Sequence, residues 1–208
     1  MIKAFFLIFK PGAAWERVVR ARHSFVFIFG LYLLPMICLA TAAEGWSLSH
    51  WGKWQPKFER LKEFSTGTVI TFEVIQALLF VVMVLVGALL LLKISQTFQS
   101  RARYREAFTT MAYGFSPLFL THLLNVSPTM HPVIAWAIGI ILTIWILYQG
   151  VPRVMHPDPT HAFGLYFSLM FVVILISAIA RAFTAFYLLG IVDFKHSWLT
   201  HKFPSLFR

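Results

Sequence analysis

The stretch AFTTMAYGFSPLFLTHLLNVSPTMHPVIAWAIGIILTIWILYQGVP, residues 107–152, holds no Lys, Arg, Asp or Glu over 46 positions. A soluble fold needs charge on nearly every surface element, and this run offers none. As one helix it would extend about 69 Å at 1.5 Å per residue, more than twice the roughly 30 Å of a bilayer core. It therefore reads as two helices. The break falls at Asn125-Val126-Ser127-Pro128-Thr129-Met130-His131-Pro132, where two prolines end one helix and restart another.

Working outward, residues 24–43 are also free of charge, and five apolar segments are long enough to cross a membrane: 24–43, 69–92, 107–126, 133–151 and 162–189. The runs are solidly apolar, without the alternation of barrel strands. The fold class expected is all-α, a polytopic membrane bundle of five transmembrane helices plus short interfacial helices, forming one domain over residues 1–208. Composition agrees: 59% of residues are hydrophobic and 12% charged, against about 25% charged in soluble domains. A cytosolic enzyme, a disordered protein and a disulfide scaffold are excluded, the last because Cys38 is the single cysteine. The net charge of +10 is divided among short segments between spans rather than gathered on one surface, so no nucleic-acid partner is expected. Ala40-Thr41-Ala42-Ala43 looks like a signal-peptidase site, but 23 residues precede the apolar run and the run is long enough to span, so the first span is expected to be retained.

Lys and Arg set the orientation. With a cytoplasmic N-terminus, the inner segments hold ten (Lys3, Lys10, Arg17, Arg20, Arg22, Lys93, Arg101, Arg103, Arg105, Arg153). The outer segments hold seven (Lys53, Lys57, Arg60, Lys62, Lys195, Lys202, Arg208), and Arg181 lies inside the last span. N-in, C-out is the expectation. Residues 11–22 place Ala14, Trp15, Val18 and Val19 on one helical face, which predicts a cytoplasmic surface helix anchored in headgroups by Trp15. Residues 46–64 carry Trp46, Trp51 and Trp54, then Phe58, Leu61 and Phe64 at three-residue spacing, which predicts an aromatic belt and a second interfacial helix over 54–66.

Three stretches in order resemble the Yip (Ypt/Rab-interacting protein) domain family, especially its compact bacterial inner-membrane members. They are Pro11-x-x-x-Trp15 before the first span, Tyr104-Arg105-Glu106-Ala107-Phe108 leading to Ala112-Tyr113-Gly114-Phe115-Ser116-Pro117-Leu118, and Tyr148-Gln149-Gly150-Val151-Pro152 before the last span. The resemblance implies five helices, a cytoplasmic N-terminus and no known enzymatic chemistry. Eukaryotic members engage small GTPases through a long acidic N-terminal region, whereas here 23 mostly basic residues precede the first span. That partnership is not carried over, and a bacterial inner membrane is the expected location.

Ionisable groups inside spans are the first functional candidates, because burying charge in hydrocarbon is costly. Glu73, His122 and Arg181 all fall toward the outer leaflet. Three readings stand: each side chain snorkels alone, Glu73 and Arg181 bridge two helices, or the three form a proton or solute relay. In the third span, Pro117 frees the Tyr113 carbonyl and Gly114 permits close approach, so Tyr113, Gly114, Ser116 and Pro117 mark either a packed kink or a broken-helix binding site. A broken-helix site calls for a matching interruption, and Pro35 in the first span is the one candidate. Small-residue spacings Ala135-x-x-x-Gly139 and Ala178-x-x-x-Ala182 predict close helix packing.

His156 and His161, like His196 and His201, stand five apart, a poor ligand spacing, so no metal is expected. No cofactor motif or nucleophile motif occurs, and a non-enzyme is expected. Arg101, Arg103 and Arg105, together with Trp15, are candidates for lipid-headgroup contact, each basic residue adding about 1 kcal/mol of attraction to anionic lipid. The partners expected are membrane lipids, anionic ones included, and a membrane protein or a second copy of the chain. The function expected is a non-catalytic interaction or membrane-organising factor, with a small transporter or channel component, oligomeric or not, as the alternative.

Overall fold

Among the described residues, four helices are long and apolar enough to cross a membrane: Phe25–His50, Thr66–Thr97, Pro132–Met155 and Ala162–Leu188. The computed structural model describes residues 2–51, 53–55, 60–62, 66–98, 100, 102–127, 130–158 and 160–188. In chain order, α1 (Ile2–Phe9) and α2 (Pro11–Ala21) precede the first long helix, which is composite: α3 (Phe25–Phe27), a π-helical stretch (Ile28–Leu33) and α4 (Leu34–His50). A hairpin of β1 (Lys53–Gln55) and β2 (Arg60–Lys62) follows, then α5 (Thr66–Thr97). The interrupted segment α6 (Tyr104–Gly114), α7 (Ser116–His122) and a 3-10 turn (Leu123–Val126) leads to α8 (Pro132–Met155) and α9 (Ala162–Leu188).

The hairpin corrects the interfacial helix expected over 54–66. Lys53, Trp54 and Gln55 pair antiparallel with Lys62, Leu61 and Arg60. Both triplets alternate polar, apolar, polar, which is the period of a strand. Phe58 and Phe64, on which the helical spacing relied, lie outside the described residues, as do Arg101 and the tail carrying Lys195, Lys202 and Arg208.

The third expected span forms the centre of the bundle. Nearly every residue from Ala107 to His122 is buried, Phe108, Met111, Phe115 and Phe119 completely. The long helices around it turn apolar side chains outward: Phe163, Phe167 and Phe171 on α9 are 78%, 64% and 67% exposed. An apolar exterior around a packed interior suits hydrocarbon as the solvent, where helices associate through packing and polar contacts rather than hydrophobic transfer. The central segment runs beside the first long helix from end to end. Arg105 at its start donates to the carbonyls of Arg22 and His23, and at its finish the Val126 carbonyl accepts from Ser47 Oγ at 2.6 Å.

Helix breaks have local causes. Pro117 lacks the N–H that would bond Tyr113, and the helix interrupts at Phe115, whose N–H still reaches the Met111 carbonyl at 2.9 Å. In the first long helix the Leu34 N–H bonds the Phe29 carbonyl, a five-residue step, immediately before Pro35. Gly139 packs on Leu118 and Thr121 of α7, and Ala135 is buried, so that small-residue seam closes an internal contact. The α9 spacing does not: Ala182 is exposed, and Leu169, Val173, Ala180 and Thr184 make the buried stripe.

Candidate functional site

Trp15 is completely buried, which corrects its assignment to lipid headgroups. Its indole N–H donates to the Ile146 carbonyl of α8 at 3.0 Å. The ring occupies the space that a side chain at Gly150 would fill. It also meets Tyr113 edge-on, with centroids 6.3 Å apart. Gly114, beside Tyr113, leaves room for Leu147. The surface helix α2 is thus clamped across α8 through Pro11, Ala14, Trp15 and Val18. Amphipathicity legible in the sequence identified the buried face but not what would cover it.

Next to this clamp the two interrupted helices face each other. Tyr32, in the π-helical stretch, places its hydroxyl 2.5 Å from Ser116 Oγ, and its ring lies 4.3 Å from that of Tyr113. Among the described residues, the buried Tyr113 hydroxyl has no hydrogen-bond partner. Pro35 therefore does stand beside a polar interruption, one made by the preceding π-turn.

At the other end of the bundle a polar cluster is enclosed. Gln76 Nε2 donates to Glu44 Oε2 at 2.8 Å. His122 Nδ1 lies 3.3 Å from the same oxygen, 3.2 Å from Asn125 Nδ2 and 3.4 Å from Gln76 Nε2. With its proton on Nδ1 the imidazole donates to Glu44; with Nδ1 bare it accepts from an amide. A slot of about 10 Å³, lined by Gln76, His122, Trp136, Ser177, Arg181 and Thr184, opens beside it. Buried Gln76 Oε1 and Trp136 Nε1, an acceptor and a donor, have no partner among the described residues.

Of the three intramembrane candidates, His122 belongs to this cluster and Arg181 borders it. Glu73 instead lies against Gly45, where its carboxyl occupies the place of a missing side chain. Among the described residues no ion pair joins Glu73 to Arg181; Arg181 instead lines the slot beside the cluster that holds Glu44. The sequence reading passed over Glu44 because it stands one residue beyond the apolar run. The signal available was Gln76, a polar residue deep inside the second apolar run.

Arg103 and Arg105 are exposed at the rim near α2, while Arg105 also holds the carbonyls of Arg22 and His23. In the turn between α8 and α9, Asp158 accepts from the Thr160 N–H at 3.1 Å and hydroxyl at 2.9 Å. These bonds hold its carboxyl below the usual carboxylate range, with a smaller contribution from His161. Among the described residues no set of three His, Cys, Asp or Glu side chains could hold a metal.

The helices and their apolar exterior define a polytopic helical membrane protein. The chain matches the Yip1 domain over residues 5–181 and belongs to that family, a family of generally non-enzymatic membrane proteins. No curated protein and no solved structure matches it. The three motifs that carried the resemblance meet in space, since Trp15 touches both Gly150 and Tyr113.

Proposed function

We propose that this protein is a non-catalytic membrane-organising factor of a bacterial inner membrane, crossing it five times with its N-terminus in the cytoplasm and gathering anionic lipid around its cytoplasmic face. The fifth crossing is the central interrupted segment. Its ends lie level with both ends of the first long helix, at Arg22 and His23 and at Ser47, and its 23 residues from Tyr104 to Val126 match a core of about 30 Å.

The observation that carries the functional reading is the gathering of basic residues where α2 crosses the ends of α6 and α8. Arg22, Arg103 and Arg105 surround one recess there, and Arg153 lies against Gly12. Such a rim attracts anionic headgroups and fits the positive-inside rule. The test is thermal unfolding of the full chain in vesicles with and without phosphatidylglycerol. The midpoint rises with anionic lipid if the reading holds, and is independent of lipid charge if it fails.

A second reading, a small transporter, is favoured by the paired interruptions joined by Tyr32 and Ser116, since transporters build midplane sites from broken helices. A water-accessible path from Tyr113 to His122, mapped by thiol labelling, would establish it in place of the first.

A further inference from the structure

The recess under α2 has the construction of a binding site. Its volume is about 360 Å³, within the range of small-molecule pockets, roughly 300–1,000 Å³. Arg22, His23, Arg103, Arg105 and His156 surround its polar mouth, Val18, Ile28 and Val154 form an apolar throat, and Tyr113 lies at its floor. From Glu106 to Tyr113 the recess follows α6 downward by about 10 Å at 1.5 Å per residue.

Its electrostatics favour an anion. Helix C-termini would repel one through their free carbonyls, and donors occupy three of the carbonyls at the two that end here. The Arg22 and His23 carbonyls after α2 are held by Arg105, and the Met155 carbonyl of α8 accepts from Ser100 Oγ at 2.7 Å. The N-terminus of α6 opens into the same space, its dipole attracting negative charge. Among the described residues Glu106 is the one carboxylate in the lining, and its Oε2 accepts the Arg103 N–H at 2.8 Å, so three arginines outweigh it. Among the described residues the buried Tyr113 hydroxyl has no hydrogen-bond partner, so it can bond a ligand oxygen that reaches the floor.

We propose that this recess binds a phosphate ester, the Arg22 and Arg103 guanidiniums holding the phosphate oxygens at the mouth and the Tyr113 hydroxyl bonding a deeper oxygen of the same ligand. Guanidinium geometry matches phosphate through paired N–H donors. The apolar throat accommodates the hydrocarbon that adjoins a lipid headgroup, and the same donors would take a free phosphate ester. The inference deepens the anionic-lipid reading and rests on it.

The test titrates the full chain in micelles with phosphatidic acid, glycerol 3-phosphate and oleate, an anionic lipid without phosphate, reading bound lipid by native mass spectrometry and the thermal shift. Arg22→Gln with Arg103→Gln removes two charges from the mouth. Arg17→Gln with Arg20→Gln removes two from α2 outside the recess, and Tyr113→Phe removes one hydroxyl. Phosphatidic acid binding weakens about tenfold or more in the mouth pair, as loss of charge-assisted bonds requires. It weakens less than about threefold in the outer pair, and by about threefold in Tyr113→Phe. Competition by glycerol 3-phosphate identifies a soluble ester as sufficient, while retention of phosphatidic acid alone identifies the lipid headgroup with its tail; either result supports the site. Equal weakening by both arginine pairs, equal retention of oleate, or no binding of either phosphate overturns it. Loss of all dependence on anionic lipid in the unsubstituted protein defeats the broader reading, whereas equal arginine pairs with that dependence intact defeat the recess alone.

Discussion

The Tyr32 hydroxyl lies 2.5 Å from the Ser116 hydroxyl, and this contact joins the π-helical turn of the first long helix to the break in the central segment. Each interruption exposes polar backbone that a lone helix in lipid could not leave unsatisfied. Packed together, they meet through this hydroxyl pair and the contact of the Tyr32 and Tyr113 rings.

Tyr32→Phe and Ser116→Ala each lower stability by about 1 kcal/mol, since each leaves the other hydroxyl buried without its partner. The double substitution costs less than the sum, with a coupling of roughly 0.6–1.7 kcal/mol, as for polar contacts between membrane helices. A double-mutant cycle by thermal or denaturant unfolding in bicelles measures it, and strict additivity would show that the two hydroxyls act independently.

Gly150→Ala forces a methyl group into the indole of Trp15. It destabilises the fold by about 1–3 kcal/mol through overpacking. Adding Trp15→Leu to the alanine variant costs less than Trp15→Leu does alone, because the smaller side chain relieves the overlap. Limited proteolysis at α2 together with the unfolding midpoint reads both effects.

At the polar cluster, Glu44→Ala strands Gln76 and His122 and costs about 1–3 kcal/mol. Glu73→Ala costs less, because Glu73 is only part-buried and lies against Gly45, outside the cluster. Unfolding midpoints of the two variants, compared under the same lipid conditions, give the order. A larger loss at Glu73 would contradict the placement of the cluster.

The Asp158 turn titrates at the membrane surface. Its folded carboxyl is held below the ordinary value by Thr160, so the turn's added stability is present above about pH 4, the ordinary aspartate range, and is lost as pH falls through the lower folded value. The protection of the Thr160 amide, its exchange taken relative to the intrinsic rate at each pH, falls on acidification, and Asp158→Asn lowers that protection at neutral pH and flattens its acid dependence.

Much of the architecture was readable because hydrocarbon imposes a length on apolar runs: the long helices lie where uncharged residues accumulate, and Pro117 with Gly114 marked the interruption of the third. Long-range partners were not readable. Trp15 declared a buried face, but the space at Gly150 that receives it lies on α8, far along the chain. Glu44 escaped because α4 continues past the apolar run to His50, with Glu44 and Ser47 covered by protein instead of lipid. Polar residues can extend a span when neighbouring helices satisfy them, and hydropathy alone does not register those neighbours. At the hairpin, three-residue spacing and two-residue alternation coexisted in one segment, and strand pairing decided between them.

The most direct measurement is thiol labelling on either side of the central segment in intact cells, in a chain with Cys38→Ser carrying either Arg103→Cys or Met130→Cys. If the segment crosses the membrane from a cytoplasmic start, a membrane-impermeant maleimide labels Met130→Cys from outside and reaches Arg103→Cys only after permeabilisation. Labelling of both from the same side, or the reverse pattern, would contradict the five-crossing, N-terminus-inside account.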